Sequence, residues 1–128
     1  MNLAQRKKKK NSKYWRNKAD EAWSKAVKLR DGNKCCICDA TDHLQAHHLL
    51  PKSSYSKYRH MTSNGITLCP RHHSLGGESA HKNAVYFSEW LKANKSILFL
   101  WVLDAMAIKT KVKNNYKDAY ERLTGDEQ

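Results

Sequence analysis

The sequence predicts an α+β fold, in which a middle segment poor in long apolar runs lies between an N-terminal helix and C-terminal helices. Three observations predict it. A helical hydrophobic period opens at Tyr14, and another follows Lys82. Residues 33–81 lack long apolar runs yet hold all four cysteines and all seven histidines. The length of 128 residues suits one modest core, and therefore a single domain.

Residues 1–13 come first. Arg6, Lys7, Lys8, Lys9, Lys10 and Lys13, with Arg16 and Lys18 behind them, form a run without an acid. Its beginning has no hydrophobic period, so a mobile basic arm is expected. Over 14–32, Trp15, Ala19, Ala22, Trp23, Ala26 and Val27 share one helix face, and the two tryptophans read as core packing. Gly32 and Asn33 stop that helix, with Arg30 in its last turn where the dipole favours a cation.

The C-terminal helical segment spans 82–123. Val85, Phe87, Trp90 and Leu91 mark a helix ending near Asn94. Ser96 is the expected N-cap of a helix over Ile97–Ile108, whose apolar residues run almost all round. That helix should be buried or form an oligomer interface. Tyr116, Ala119, Tyr120 and Leu123 suggest a short last helix.

Charge narrows the partners. Lys and Arg number 24 against 12 Asp and Glu, a formal charge of +12, which favours a polyanion and nucleic acid first. The apolar stretch at Ile97–Ile108 is too short to span a bilayer, so no membrane role is expected. No apolar segment follows the basic run, so no secretory signal is expected and the reducing cytoplasm is the default compartment. Four cysteines there are more naturally thiols or metal ligands than disulfides.

The spacing of the cysteines selects metal. Cys35 and Cys38 form a C-x2-C pair, and Cys69 and His72 a C-x2-H pair. Each short loop offers two ligands to one side of an ion, so the four complete a tetrahedral structural zinc site. Cys36 would need the tighter C-x-C chelate and is read as a non-ligand. The chain between the pairs is then closed at its base. Within it, His47 and His48 at the end of a strand point to opposite faces, so that one can bind a metal while the other stays free as a base. Asn64 precedes a short apolar strand, and His73 follows His72 directly, so the knuckle brings His47, His48, Asn64 and His73 near one another.

Taken together, C-x2-C, then H-H-L-x-P at 47–51, then N-G-I-x-L-C-x-x-H-H at 64–73 resemble the HNH endonuclease family, in a form typical of small phage and bacterial nucleases. The stretch Gln45–His48 is more loosely similar to a Q-A-x-H stretch of phage recombination nucleases. The resemblance covers about Arg30 to His73 and implies a ββα-metal core over 33–81. It implies His48 as general base, His47 and His73 as ligands of a catalytic ion, and Asn64 as the motif asparagine. Asn64 would either orient the loop bearing His48 or complete the shell of the ion. Two positions depart from the family pattern. His72 stands where cysteine is common, and Gly77 where a further histidine is common. His81 is a candidate substitute, since Gly76 and Gly77 would let the chain turn back; the alternative is a surface histidine at a helix start.

The implied reaction is hydrolysis of DNA to 5′-phosphate and 3′-hydroxyl ends with magnesium or manganese, although histidine ligands also suit nickel or zinc. The arm, Arg16, and Lys52, Lys57, Arg59 and Arg71 are the expected DNA contacts. His43 and His60 read as surface or phosphate-contact residues. A non-catalytic zinc module that binds nucleic acid is the rival reading, and a ribonuclease ranks last. A bacterial or phage-infected cytoplasm fits all of these.

Overall fold

The computed structural model describes residues 2–108 and 110–125, without the side chains of residues 5–10. Its architecture is mixed: the described residues form four α-helices and one small antiparallel sheet. α1 (Leu3–Arg30) leads to β1 (Gln45–His48) and β2 (Gly65–Leu68), and α2 (Ala84–Asn94), α3 (Ser96–Ala105) and α4 (Tyr116–Gly125) follow. Among the described residues, no helix is long and apolar enough to cross a membrane.

α1 starts earlier than the sequence suggests. It begins at Leu3, so there is no helical break at residue 13. Lysine, arginine, glutamine and alanine are good helix formers, and a helix already anchored further along propagates into them at little cost. Its end is as expected. Asn33 N donates to Lys28 O (2.8 Å) and Gly32 N to Leu29 O (3.1 Å), the paired bonds of a Schellman stop. Gly32 sits in the left-handed region at φ 74°, which glycine adopts without a Cβ penalty.

The buried face of α1 lies across the hairpin. Ala19, Trp23 and Val27 are buried. Trp23 Nε1 donates to Met61 O at 2.8 Å, and Arg30 donates to Thr62 O at 2.8 Å and Gly65 O at 2.7 Å. Asp31 accepts from Thr67 N at 2.9 Å. In the hairpin, Gln45 pairs with Leu68, His47 with Ile66 and His48 with Gly65. The other side of the sheet contributes Ile66 and Leu68 to a core with Cys35, Cys69, Ala80, Phe87 and Leu91. α4 packs back on α1, with Ala119 buried and Tyr120 5.6 Å from Trp15, ring to ring.

The C-terminal half corrects two expectations. Ser96 is the first residue of α3 and not its N-cap. Lys95 alone joins α2 to α3, leaving no extended residue for serine to occupy. α3 stops at Ala105 because the following chain crosses the 55–58 turn, where Val112 N donates to Ser56 Oγ at 2.8 Å and Asn114 Nδ2 to Ser56 O at 3.1 Å. Only part of α3 is covered: Phe99, Trp101 and Val102 pack inward, whereas Ile97 and Leu100 are 83% and 62% exposed.

Gly65 sets how closely α1 can approach. Its backbone is ordinary extended strand, but a Cβ there would lie 2.6 Å from Trp23 Cζ2 and 2.7 Å from Val27 Cγ2. Gly65→Ala should therefore destabilise the fold by about 1–3 kcal/mol through overpacking, read as a lower denaturant midpoint at unchanged slope.

Candidate metal centre and histidine cleft

Two tight turns build the first cluster. Asp39 N bonds to Cys35 O (2.9 Å) and Cys35 N to Ala40 O (2.8 Å), with Asp39 at φ 63°. This folds Cys38 back beside Cys35. After β2, residues Arg71–Leu75 form a single π-helical turn closed by Gly76 N to Arg71 O at 2.8 Å. A Cβ on Gly76 would stand 2.7 Å from that carbonyl oxygen, so the closure needs glycine.

Cys35, Cys38, Cys69 and His72 thereby converge, with their ligand atoms within 4.8 Å of one another. Cys38 Sγ is 3.7 Å from Cys69 Sγ, and His72 Nδ1 is 3.3 Å from Cys69 Sγ and 3.8 Å from Cys35 Sγ. Ligands about 2.3 Å (sulfur) and about 2.0 Å (nitrogen) from a tetrahedral zinc stand about 3.5–3.8 Å apart, so the cluster has the donors and dimensions to hold such an ion. The neighbouring sulfurs act unequally on the two thiols of the first pair. The Ala40 amide favours the Cys38 thiolate, yet burial and the neighbouring Cys69 and Cys35 sulfurs push that thiol up. Burial also opposes the Cys35 thiolate, but the surrounding backbone amides outweigh it and bring Cys35 down. Cys36 is outside the cluster, as expected; burial and the nearby Asp31 carboxylate push it up to about 11.

The second cluster starts one residue further along. His73, next to His72 on the π turn, meets His47 and His81, again with ligand atoms within 4.8 Å. His81 reaches it because the 76–83 loop doubles back, with Ala80 N on His72 O (2.8 Å) and His81 N on His73 O (3.1 Å). His81, four residues beyond Gly77, thus joins the cluster in space. His73 Nδ1 donates to Gln45 Oε1, which leaves Nε2 facing the cluster, 3.0 Å from His81 Nε2. That separation matches neighbouring ligands at right angles on an ion with bonds of about 2.1 Å. Burial, with His73, His81 and His48 nearby, pushes His47 down to about 3, and burial and His81 lower His73. Neutral imidazoles are the form that binds metal.

His48 turns to the opposite side of β1. Its ring stacks flat on Trp23, centroids 3.9 Å apart and planes within 9°. Gly65, its cross-strand partner, leaves room for the indole. His48 Nε2 donates to Arg59 O at 2.9 Å, so the neutral ring keeps its lone pair on Nδ1. Burial lowers its pKa, and the Lys52 and Arg59 charges add to this against the pull of the Arg59 carbonyl. The amide of Asn64, fully buried, is occupied by backbone: Oδ1 accepts from Leu50 N (2.7 Å), and Nδ2 donates to Leu50 O (3.2 Å) and Tyr58 O (3.3 Å). It ties down the loop that follows His48.

Both sides of β1 open into one cleft of about 940 Å³, lined by His47, His48, His73 and His81 together with Asp20, Trp23 and an apolar wall from α2 and α3. Residues 35–75 match the HNH endonuclease family. The HNH match covers about a third of the chain and includes every motif residue named above except His81. No curated protein and no solved structure gave a match. The family implies a nuclease-type function, metal binding and a nucleic-acid substrate.

Other expected contacts lie elsewhere. The side chains of Arg6, Lys7, Lys8, Lys9 and Lys10 are outside the described residues. Lys13, Lys52, Lys57 and Arg71 are exposed, and Arg16 is half-buried. Arg59 is not a free surface cation, because its guanidinium forms a two-pronged pair with Asp20 at 3.0 and 2.8 Å. His60 is buried, not on the surface, with Nε2 2.7 Å from Asp20 Oδ1. His43 is exposed, as expected. Gln45 escaped the sequence reading, although strand alternation puts it on the His47 side. Asp20 escaped it too, and its partners lie about forty residues away.

Cys69→Ser should lose the bound metal and the cooperative thermal transition, whereas Cys36→Ser should keep both. Elemental analysis per chain with thermal unfolding separates the two.

Proposed function

We propose that the chain is a metal-dependent HNH endonuclease that hydrolyses DNA phosphodiester bonds with His48 as general base, leaving 5′-phosphate and 3′-hydroxyl ends. The observation that carries this is the division of His47 and His48 between the two faces of β1. One imidazole joins a three-histidine cluster, and the other keeps a free Nδ1 in the same cleft.

Cys35, Cys38, Cys69 and His72 would hold a structural zinc, with no ligand position left for water. His47, His73 and His81 would hold the catalytic ion, magnesium or manganese in this reading. Such an ion, when bound, supplies charge neutralisation at the scissile phosphate and the leaving 3′ oxygen. His48 takes a proton from the attacking water at Nδ1, while its Nε2–H stays on the Arg59 carbonyl. Asn64 positions the loop, since both ends of its amide are engaged by backbone. The ββα-metal core corresponds to the hairpin and the turn carrying His72 and His73. Exposed cations, with the N-terminal stretch of α1, hold the DNA backbone.

His48→Ala should cut supercoiled plasmid about 100-fold or more slowly than wild type while keeping metal content, folding and DNA binding. His47→Ala should be restored in part by excess metal. Cleavage should need added magnesium or manganese and stop with EDTA. A wild-type chain that binds DNA but never cuts it would establish the binding module instead, and cleavage confined to RNA a ribonuclease.

Removing residues 1–13 deletes Arg6, Lys7, Lys8, Lys9, Lys10 and Lys13. The slope of log affinity against log salt should then fall by at most about 5, the value if each cation met one phosphate. Filter binding across a salt series measures it.

A further inference from the structure

The carbonyl that receives His48 Nε2–H belongs to Arg59, and the chain around it is gripped on every side. Asn64 Nδ2 holds the preceding carbonyl, that of Tyr58, at 3.3 Å. Asp20 binds the Arg59 guanidinium through both carboxylate oxygens and also meets His60 Nε2. Arg122 of α4 donates to His60 O at 3.2 Å. One turn along α1 from Asp20, Trp23 lies flat against the His48 ring. Hydrogen bonding to the carbonyl fixes the ring at one edge, and the stack fixes its plane.

We propose that Asp20 and Trp23, both outside the segment that matches the family, are positioning residues for His48. Asp20 acts through Arg59, and Trp23 acts by direct stacking. Together they hold the imidazole in one orientation and one tautomer, with Nδ1 facing the cleft. This rests on the reading of His48 as the base. The side chains themselves argue for it. The indole lies within 9° of the imidazole plane, a stacked geometry that fixes the orientation of the ring as well as filling space. A carboxylate needed only for surface charge has no reason to bind two consecutive side chains of the peptide whose carbonyl orients that imidazole.

The test uses the full chain. Asp20→Asn removes the charge that holds Arg59, Trp23→Leu removes the aromatic plane, and Trp23→Phe keeps a plane. Metal content and thermal unfolding identify the variants that remain folded. Asp20→Asn and Trp23→Leu should lower kcat by about 10- to 100-fold at unchanged KM, the scale of a displaced catalytic group, and Trp23→Phe should recover most of it. Independently of cleavage, the side-chain nitrogen NMR spectrum of His48 at neutral pH should show the Nε2–H tautomer alone in wild type and in Trp23→Phe. It should show both tautomers in Asp20→Asn and Trp23→Leu. Should Trp23→Leu fail to fold, Asp20→Asn and Trp23→Phe decide alone. Folded variants that keep the single tautomer overturn the proposal, whether or not kcat falls. A wild type that never cleaves, or a His48→Ala chain that cleaves normally, overturns the assignment of the base, and the tautomer spectrum still decides the positioning.

Discussion

Two strands of four residues do not make a stable hairpin in water, yet every histidine of the cleft depends on this one. The hairpin persists because each of its faces is covered by something different. On one face α1 lies close enough that only a glycine fits at position 65. On the other, the apolar side chains of Ile66 and Leu68 run into the core beside Cys35 and Cys69. Strand alternation then assigns the chemistry. His47 goes with the side of His73 and His81, and His48 with the helix side, because neighbours on a strand have no other choice.

What the sequence discloses follows from how local each feature is. The Cys35–Cys38 and Cys69–His72 pairs are legible because each pair closes within a single turn, and only two turns must meet. The opposition of His47 and His48 is legible from strand period alone. The return of His81 is half legible: Gly76 permits the turn, but only the fold brings Nε2 to within 3.0 Å of His73. Arg59 and His60 read as surface residues because nothing nearby in sequence neutralises them; their partner Asp20 lies about forty residues away on α1. The start of α1 was not legible because periodicity reports which residues prefer burial, and a charged helix end has no such preference.

Two of the twelve acids are engaged inside the fold. Asp20 joins Arg59 and His60, and Asp31 joins Arg30 and the Thr67 amide. In each case burial opposes the charge but the hydrogen bonds prevail, so the carboxyl is held below its usual range. Both act as internal ties between α1 and the hairpin region. The formal charge of +12 already counts them, and an excess of that size favours a polyanionic partner.

A single peptide bond separates His72 from His73, and with them the two clusters. Cys38, at the first cluster, is exposed to solvent, while Cys35 and Cys69 are buried. In the proposed zinc-bound form, oxidation of that accessible sulfur would remove one of the four ligands, and the turn that carries both histidines would lose part of its anchor. In that form the histidine cleft is tied to a thiol that does not line it.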